Sequence, residues 1–373
     1  MNTIKKTLLT GVITFLAACE QPADQKQLFL EQQLDSFILP LHQQLSLQSQ
    51  HFINQSTQFC QQPNQQHLQQ VQLQWLATMK AWQQVQSINF GPITDDNQAW
   101  KMQFWPDKKN LIKQKTVKLL RSEDTINVDK IEQSSVVIQG LSAAEYLLFD
   151  QQQLVEQQTI LSSFDDNSRN AQRRCQMLTA ISQHSFNVAE FLQQQWGSST
   201  QGYGAVFINP NSDNLEFASQ NESIASLIQS IVSSLEVIQK NKLGGPLGYN
   251  NKKSIPRPYL AEAWRSQQSL LLIAANLSAV ERFLTDQNAG LFQLMADNTQ
   301  AKTLIPALQQ KLKATKQALN DIDQPLFTAV THEASKSQVE TLYKQNQSLL
   351  RLIKHDVVTS LGLTLGFNAN DGD

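Results

Sequence analysis

Residues that interrupt helices are rare in this chain, and the pattern that builds strands is almost absent. Its 373 residues include 13 glycines and 11 prolines, while Gln, Leu and Ala, which favour helices, recur throughout. β-Branched residues seldom alternate with polar ones, as they would in half-buried strands. The chain therefore predicts an all-α fold, with helices over residues 25–59, 65–87, 96–121, 143–149, 167–196, 222–240, 258–284, 291–297, 301–320 and 336–360.

One stretch of turn-forming residues divides this helical pattern. Residues 197–214 include three glycines, a proline and an aspartate, which predict a boundary or a short irregular insertion. We therefore expect two packed helical bundles, over residues 27–200 and 201–373. Residues 243–249 (LGGPLGY) lack the Gly-Lys-Ser/Thr ending of a phosphate loop and are interpreted as a bent connector.

The N-terminus has the pattern of a lipoprotein signal peptide. Two lysines are followed by an apolar run over residues 8–18 and by the lipobox LAAC at 16–19. About a dozen apolar residues is shorter than the roughly 20 that span a bilayer as a helix. We expect a signal peptide at 1–18 and a tether at 19–26, with Cys19 lipidated and anchored in the membrane. The alternative is a short membrane anchor or buried helix.

The residue after the lipidated cysteine indicates the location. Glu20, and not Asp, follows Cys19, which favours an anchor in the outer membrane that faces the periplasm or the cell surface. Cys60 and Cys175 are then the remaining cysteines, in a compartment that permits disulfides. A bridge between them would close a long loop and stabilise the fold by about 2 to 4 kcal/mol. Two buried free thiols are the alternative.

The charge balance argues against a nucleic-acid partner. The formal net charge is −2 and the isoelectric point is about 6.3, so there is no broad positive field to attract phosphates. Mean hydropathy is −0.35. After the signal peptide, no further segment is apolar and long enough to be predicted to cross a membrane.

The hexad GLSAAE at residues 140–145 is the most informative local motif. On physical grounds it predicts a capping box, with Ser142 as the N-cap of a helix and Glu145 three residues later, and with Leu141 and Tyr146 as a hydrophobic staple. Such a serine cap stabilises a helix by about 1 kcal/mol. A serine-hydrolase elbow does not fit, because Ala144 stands where that motif requires glycine.

The hexad also resembles the Gly-x-His-x-x-Glu signature of the imelysins, with Ser142 in place of the histidine. Further similarity lies in the FWPD motif at 104–107, in residues 256–284 and in the ending at 366–373. The resemblance implies a double helical bundle and a periplasmic or surface protein linked to iron uptake. It also implies that the signature faces a cleft between the bundles, where a metal or peptidase role has been inferred.

Serine is a poor substitute for histidine as a ligand of zinc, copper or iron, because its neutral hydroxyl binds these ions weakly. The histidines form no His-x-x-x-His pair that would rebuild a site. We therefore assign no catalytic and no metal-ligating residue, although the resemblance leaves iron or another metal ion open as a ligand. The predicted binding cleft comprises Gly140, Ser142, Glu145, Trp105, Asp107, Glu262, Arg265 and Ser266.

Polar residues in the predicted helix over 258–284 have two interpretations. Glu262, Arg265, Ser269 and Asn276 fall near one stripe of an otherwise apolar helix. They form either an ion pair between Glu262 and Arg265 with ordinary interhelical hydrogen bonds, or a polar cleft facing Glu145.

Together these features predict a non-catalytic binding or accessory protein associated with iron acquisition, with iron-uptake proteins of the envelope as its partners. A metal-dependent peptidase of the imelysin type is one alternative, and it needs a metal-held water and a general base. A structural helical lipoprotein that binds another envelope protein is the second.

Overall fold

The computed structural model describes residues 24–150, 159–165 and 168–366. These residues are helical and contain no strand beyond an isolated bridge between Ser198 and Gln201, so the all-α prediction is confirmed. The helices before residue 200 are α1 Gln25–Gln33, α2 Leu39–Gln61, α3 Gln65–Val85, α4 Gln98–Met102, α5 Leu111–Arg121, α6 Val128–Glu132, α7 Leu141–Phe149 and α8 Arg169–Trp196.

A second set of helices completes the fold. They are α9 Gly202–Ile208, α10 Gln220–Glu236, α11 Gly245–Leu247, α12 Ser269–Thr285, α13 Leu291–Ala296, α14 Ile305–Asn320, α15 Leu326–Ala329, α16 Glu333–Arg351 and α17 Val358–Ser360. Wider π-helical turns at Leu34–Ile38, Val237–Gly244 and Leu352–Val357 continue three of these helices, and short 3₁₀ segments lie at Gly91–Asn97, Val136–Ile138, Leu161–Ser163, Pro258–Leu260 and Ala301–Leu304.

Side-chain caps mark the beginnings of several helices. Asp24, Asn64 and Ser168 accept backbone N–H groups at the starts of α1, α3 and α8, which satisfies donors that have no partner inside the helix. Packing is set by large apolar side chains that are fully buried, including Trp75, Trp82 and Trp196. α2 packs against α3 and α8, and α14 packs against α16.

The two halves of the sequence also contact each other. α3 packs against α12, and α1 packs against α10 and α13. The candidate site lies beside the first of these contacts, as described below. The bundle boundary expected near residue 200 stays a prediction.

Four predicted elements were wrong in detail. The helix expected over 96–121 is broken, because the Trp105–Pro106 region separates α4 from α5. The helix expected over 258–284 begins only at Ser269, and residues before it form turns in which Ala263 and Gln267 have positive φ. The irregular insertion expected over 197–214 contains α9, and the connector expected over 243–249 is partly helical. Pro106 cannot continue a helix, since it lacks an N–H donor and its ring clashes with the preceding turn. At the other places tertiary contacts override local propensity.

Cys60 at the end of α2 and Cys175 in α8 form a disulfide, with a Cα–Cα distance of 5.4 Å. The predicted bridge is therefore confirmed, and it fastens α2 to α8 across 115 residues of sequence. The predictions for the lipobox, for Cys19 and for residues 367–373 lie outside the described residues. No helix within the described ranges is long and apolar enough to cross a membrane.

Candidate functional site

The hexad forms the start of α7, but its serine is not the cap. Gly140 occupies the N-cap position and α7 begins at Leu141. The Ser142 hydroxyl, one residue inside the helix, donates to the carbonyl of Phe104 at 3.0 Å. The predicted capping box between Ser142 and Glu145 was therefore wrong, because both side chains are drawn to tertiary partners and not to the backbone of their own helix.

Glu145 is bound to the turn that precedes α12. Its Oε1 accepts the backbone N–H of Ser266 at 2.9 Å, and the Ser266 hydroxyl lies 2.9 Å from the same oxygen. Glu145 and Ser266 are both buried. The hexad from the first half of the chain is thus joined directly to the second half, which brings together two of the predicted cleft residues.

Gly140 has a steric role. A Cβ built on it would lie 2.1 Å from the Met102 carbonyl oxygen and 2.3 Å from that of Lys101. These are backbone atoms at the end of α4, which cannot move aside as a flexible side chain would. Glycine is therefore required here so that the start of α7 packs against the chain just before Phe104.

A small cavity lies where the predicted cleft residues meet. Its volume is about 20 Å³, and Ser142, Glu145, Trp105, Asp107 and Arg265 all contribute to its lining. This is close to the space that one water molecule needs. Burial raises the pKa of Glu145 above its ordinary value, and the positive charge of Arg265 and the two contacts from Ser266 act in the opposite direction.

Trp105 and Asp107 are fixed by the backbone around them. The Trp105 indole N–H donates to the Leu260 carbonyl at 3.3 Å, and the bond from Trp105 to Pro106 is cis. Both carboxylate oxygens of Asp107 accept N–H groups at the start of α5, from Leu111 at 2.7 Å and Ile112 at 2.9 Å. Asp107 therefore stabilises the helix start, where a negative charge is favourable.

Arg265 forms an ion pair with Asp150, which directly follows α7. Its Nε donates to Asp150 Oδ2 at 2.7 Å, and both side chains are almost completely buried. Its Nη2 donates to Asn110 Oδ1 at 2.7 Å, and its guanidinium lies 4.4 Å from the centre of the Trp264 ring. The ion pair considered between Arg265 and Glu262 was therefore wrong, because residues 261–268 are not helical and the two side chains diverge.

Glu262 is instead paired with Lys242 in a fully buried polar cluster. Lys242 Nζ lies 2.7 Å from Glu262 Oε2 and also donates to Gln83 Oε1 at 2.5 Å and Asn276 Oδ1 at 2.6 Å. Gln103 Nε2 donates to Glu262 Oε1 at 2.8 Å. Burial lowers the pKa of Lys242, and the nearby carboxylate of Glu262 opposes that shift. The cluster joins the turn before α12 to the π-helical segment Val237–Gly244 and to α3.

Two larger cavities flank this core. One, of about 490 Å³, is lined by Asp150, Arg265 and Ser266, together with aromatic residues that include Trp264 and Phe327. The other, of about 480 Å³, has Trp105 and Lys242 in its lining. Both volumes are within the range of about 300–1,000 Å³ that small-molecule sites occupy.

Both the sequence and the fold have relatives among known proteins. The family model Imelysin matches residues 38–353, which is most of the chain. The chain belongs to the imelysin family. Iron-regulated protein A of Synechococcus elongatus is 22% identical over 340 residues, which cover 89% of this chain and 86% of that protein.

Two solved structures share the imelysin fold. An imelysin-like protein from Psychrobacter arcticum 273-4 superposes with a TM-score of 0.75 at 21% identity, covering 93% of this chain and 99% of that one. A proposed iron-regulated protein A precursor from Parabacteroides distasonis has a TM-score of 0.73 at 16% identity, covering 92% and 97%. These identities support the fold alone.

Two histidines of this imelysin are buried. His42 is completely buried, with Nδ1 2.9 Å from the Ile38 carbonyl oxygen, and burial lowers its pKa to about 4. His184 is also buried, which lowers its pKa. Within residues 24–150, 159–165 and 168–366, no three His, Cys, Asp or Glu side chains lie close enough together to hold a metal ion.

Sequence reasoning located part of this site and missed the rest. It named Ser142, Glu145 and Ser266, which the fold brings together, but it omitted Lys242, Asp150 and Gln103. Asp150 could have been noticed, because it follows the hexad helix directly. Lys242 carried no comparable signal, since its burial depends on a π-helical turn and on packing against α3.

Proposed function

We propose that this imelysin is a non-catalytic binding protein of the cell envelope that assists iron acquisition. One observation carries the non-catalytic part. Ser142 and Glu145, the two polar residues of the hexad, are both engaged by partners within the protein around a cavity of about 20 Å³. A peptidase would need room there for a peptide and a metal-held water beside a free general base.

The adjoining cavity of about 490 Å³ is the proposed place for the ligand. The guanidinium of Arg265 is held at its wall by Asp150 and by the face of Trp264. An aromatic wall with a few fixed polar groups is the usual composition of a small-molecule site. Ser266 lies in the same wall and also holds Glu145, so a ligand there would contact the hexad through Ser266.

The iron-related part of the proposal is supported by the relatives. Proteins named iron-regulated protein A occur among both the sequence and the structural relatives. The envelope location is supported by the lipobox that ends at Cys19. We propose that lipid on Cys19 anchors the protein to the outer membrane, facing the periplasm or the cell surface, where its partners are iron-uptake proteins of the envelope.

Peptidase assays test the non-catalytic part. Purified wild type, Glu145→Gln and Ser142→His are incubated with labelled casein and short peptides, with and without a chelator. We expect no cleavage by wild type. Hydrolysis that is lost both with chelator and in Glu145→Gln would instead establish the metal-dependent peptidase. Ser142→His restores the family residue and shows whether the site can regain metal binding, measured by elemental analysis.

Iron starvation and fractionation test the remaining parts. We expect the amount of protein to rise when iron is withheld, and we expect labelled palmitate to be incorporated in wild type but not in Cys19→Ser, which should leave the membrane fraction. Three results together would instead establish a structural lipoprotein. The amount of protein would not respond to iron, calorimetry would detect no small ligand, and pull-downs would recover one envelope protein at fixed stoichiometry.

A further inference from the structure

The cavity of about 480 Å³ is separate from the hexad cavity and has a different chemistry. It lies between the chain around residues 86–106 on one side and the helix formed by α10 and Val237–Gly244 on the other. Trp105 and Gln103 separate it from Glu145, since both residues line this cavity and the small one. A ligand in this cavity would add to the function proposed above, because neither Arg265 nor any residue of the hexad lines it.

Two indoles supply its apolar surface. Trp100 is 44% exposed although it lies in a concave wall, and its ring stands 5.7 Å from that of Phe104, which holds it in place. Trp105 is fixed by its hydrogen bond to the Leu260 carbonyl. A large aromatic face left open inside a cavity is an unfavourable exposure of apolar surface that a bound molecule would remove.

The charge in this cavity is already balanced. Among the described residues that line it, Lys242 is the charged one, and it is paired with Glu262. An ammonium has three protons, and those of Lys242 have acceptors on Gln83, Glu262 and Asn276. Asp96, next to the lining residue Asn97, is likewise paired with Lys101 at 2.6 Å. Neither an anion nor a cation would find a free counter-charge in this lining.

The remaining polar groups are neutral amides and hydroxyls. Gln103 and Asn276 are bound to Glu262 and Lys242, and the others belong to Gln86, Asn89, Thr94, Asn97, Ser233, Ser234 and Asn241. Amides and hydroxyls both donate and accept hydrogen bonds, which matches a ligand whose own groups do both. A sugar ring has this chemistry, because its C–H face packs on an indole while its hydroxyls bond to surrounding amides.

We propose that this cavity is a binding site for an uncharged sugar, which stacks on Trp100 and is held by the amides around it. Planar aromatic ligands share the need for an indole face, but they offer few hydroxyls to satisfy a wall of amides. Small anions and cations lack a free counter-charge there. The sugar is the class that uses both the apolar and the polar parts of the lining.

Saturation-transfer NMR and calorimetry on the mature chain test the proposal. The probes are glucose, galactose, mannose, N-acetylglucosamine and disaccharides of each, with adenine as the planar aromatic and citrate as the anion. We expect at least one sugar to bind and Trp100→Ala to weaken it tenfold or more. Tyr249→Ala is the matched control, because Tyr249 is 42% exposed and lies outside the cavity. It should bind as wild type does.

Two further variants distinguish a loss of sugar binding at this cavity from a general loss of folding. Asn241→Ala should also weaken the sugar, while Glu145→Gln should leave its binding unchanged, which separates this site from the hexad. The proposal is overturned if no sugar binds with a dissociation constant below ~10 mM, if only adenine or citrate binds, or if Trp100→Ala binds the sugar as tightly as wild type. None of these results bears on the iron-related function.

Discussion

Removal of the buried ammonium of Lys242 is the sharpest test of what holds the two halves of the chain together. Lys242 is 1% exposed and Glu262 is 2% exposed. Lys242→Met keeps a side chain of similar length but leaves the Glu262 carboxylate buried without its cation. Breaking such a pair by removing one partner costs about 3–5 kcal/mol of folding stability.

The surroundings of Glu262 place the expected loss near the lower end of that range. Its Oε1 still accepts from Gln103 at 2.8 Å and from Gln83 at 3.1 Å, so the carboxylate keeps two donors. Asn276 Oδ1, however, loses the N–H group that Lys242 supplied, whereas Gln83 Oε1 keeps the Asn276 amide as a donor at 3.3 Å. A buried acceptor without a donor is costly. We therefore expect a loss of about 3 kcal/mol in the free energy of unfolding.

Urea denaturation followed by tryptophan fluorescence measures the loss, with the slope m compared between variants. Lys316→Met is the matched control, because Lys316 and Glu281 form a pair at 2.5 Å whose side chains are 41% and 37% exposed. An exposed pair contributes about 0–1 kcal/mol. Combining Lys242→Met with Glu262→Gln should recover part of the loss, because no unpaired charge then remains.

If Lys242→Met destabilises the protein no more than Lys316→Met does, burial does not decide the contribution of the pair. If the double variant is less stable than Lys242→Met alone, the unpaired charge is not the source of the loss. Equal m-values in all variants are needed for the comparison, because they indicate that the same surface is exposed on unfolding.

Three further predictions concern other parts of the chain. Cys60→Ser with Cys175→Ser should lower the free energy of unfolding by about 3–5 kcal/mol in urea, because the bridge closes a loop of 115 residues, and an equally stable variant would contradict this. The folded-state pKa of His42 is about 4, below its ordinary 6.5, so the unfolded chain binds the proton first and stability falls as pH drops from 6.5 to 4, by about 3 kcal/mol. His42→Leu should lack this pH-dependent part in melts at pH 7 and 4; an unchanged pH dependence would show that His42 is not its source. Gly140→Ala should lower the free energy of unfolding by about 1–3 kcal/mol in urea denaturation, because the added methyl group overpacks the site. A variant as stable as wild type would disprove the close approach to the Met102 carbonyl.

Several features followed from sequence because they depend on local pattern. The scarcity of glycine, proline and β-branched alternation predicted the helices, and most long ones lie where expected. The hexad and the FWPD motif gave the family, and three hexad residues, Gly140, Ser142 and Glu145, do lie at one site. The disulfide was also foreseen, although sequence left free thiols as an alternative.

The contacts of those residues could not be obtained in the same way. Ser142 and Glu145 have the spacing of a capping box, yet their hydrogen bonds go to Phe104 and Ser266, which are remote in sequence. Residues 261–268 have good helix formers but form turns, because Glu262 and Ser266 gain buried partners there. Propensity is worth less than about 1 kcal/mol per residue, so a few buried contacts outweigh it.

Sequence by itself therefore determined the helical class of this protein, its family and some of the residues that meet at the candidate site. Only the tertiary structure decided which charge pairs with which. Glu262 pairs with Lys242 and Arg265 pairs with Asp150, and neither partner is near in sequence. The physical reason is that a buried charge is costly unless another is brought to it, and only the packed helices determine which side chains come within reach.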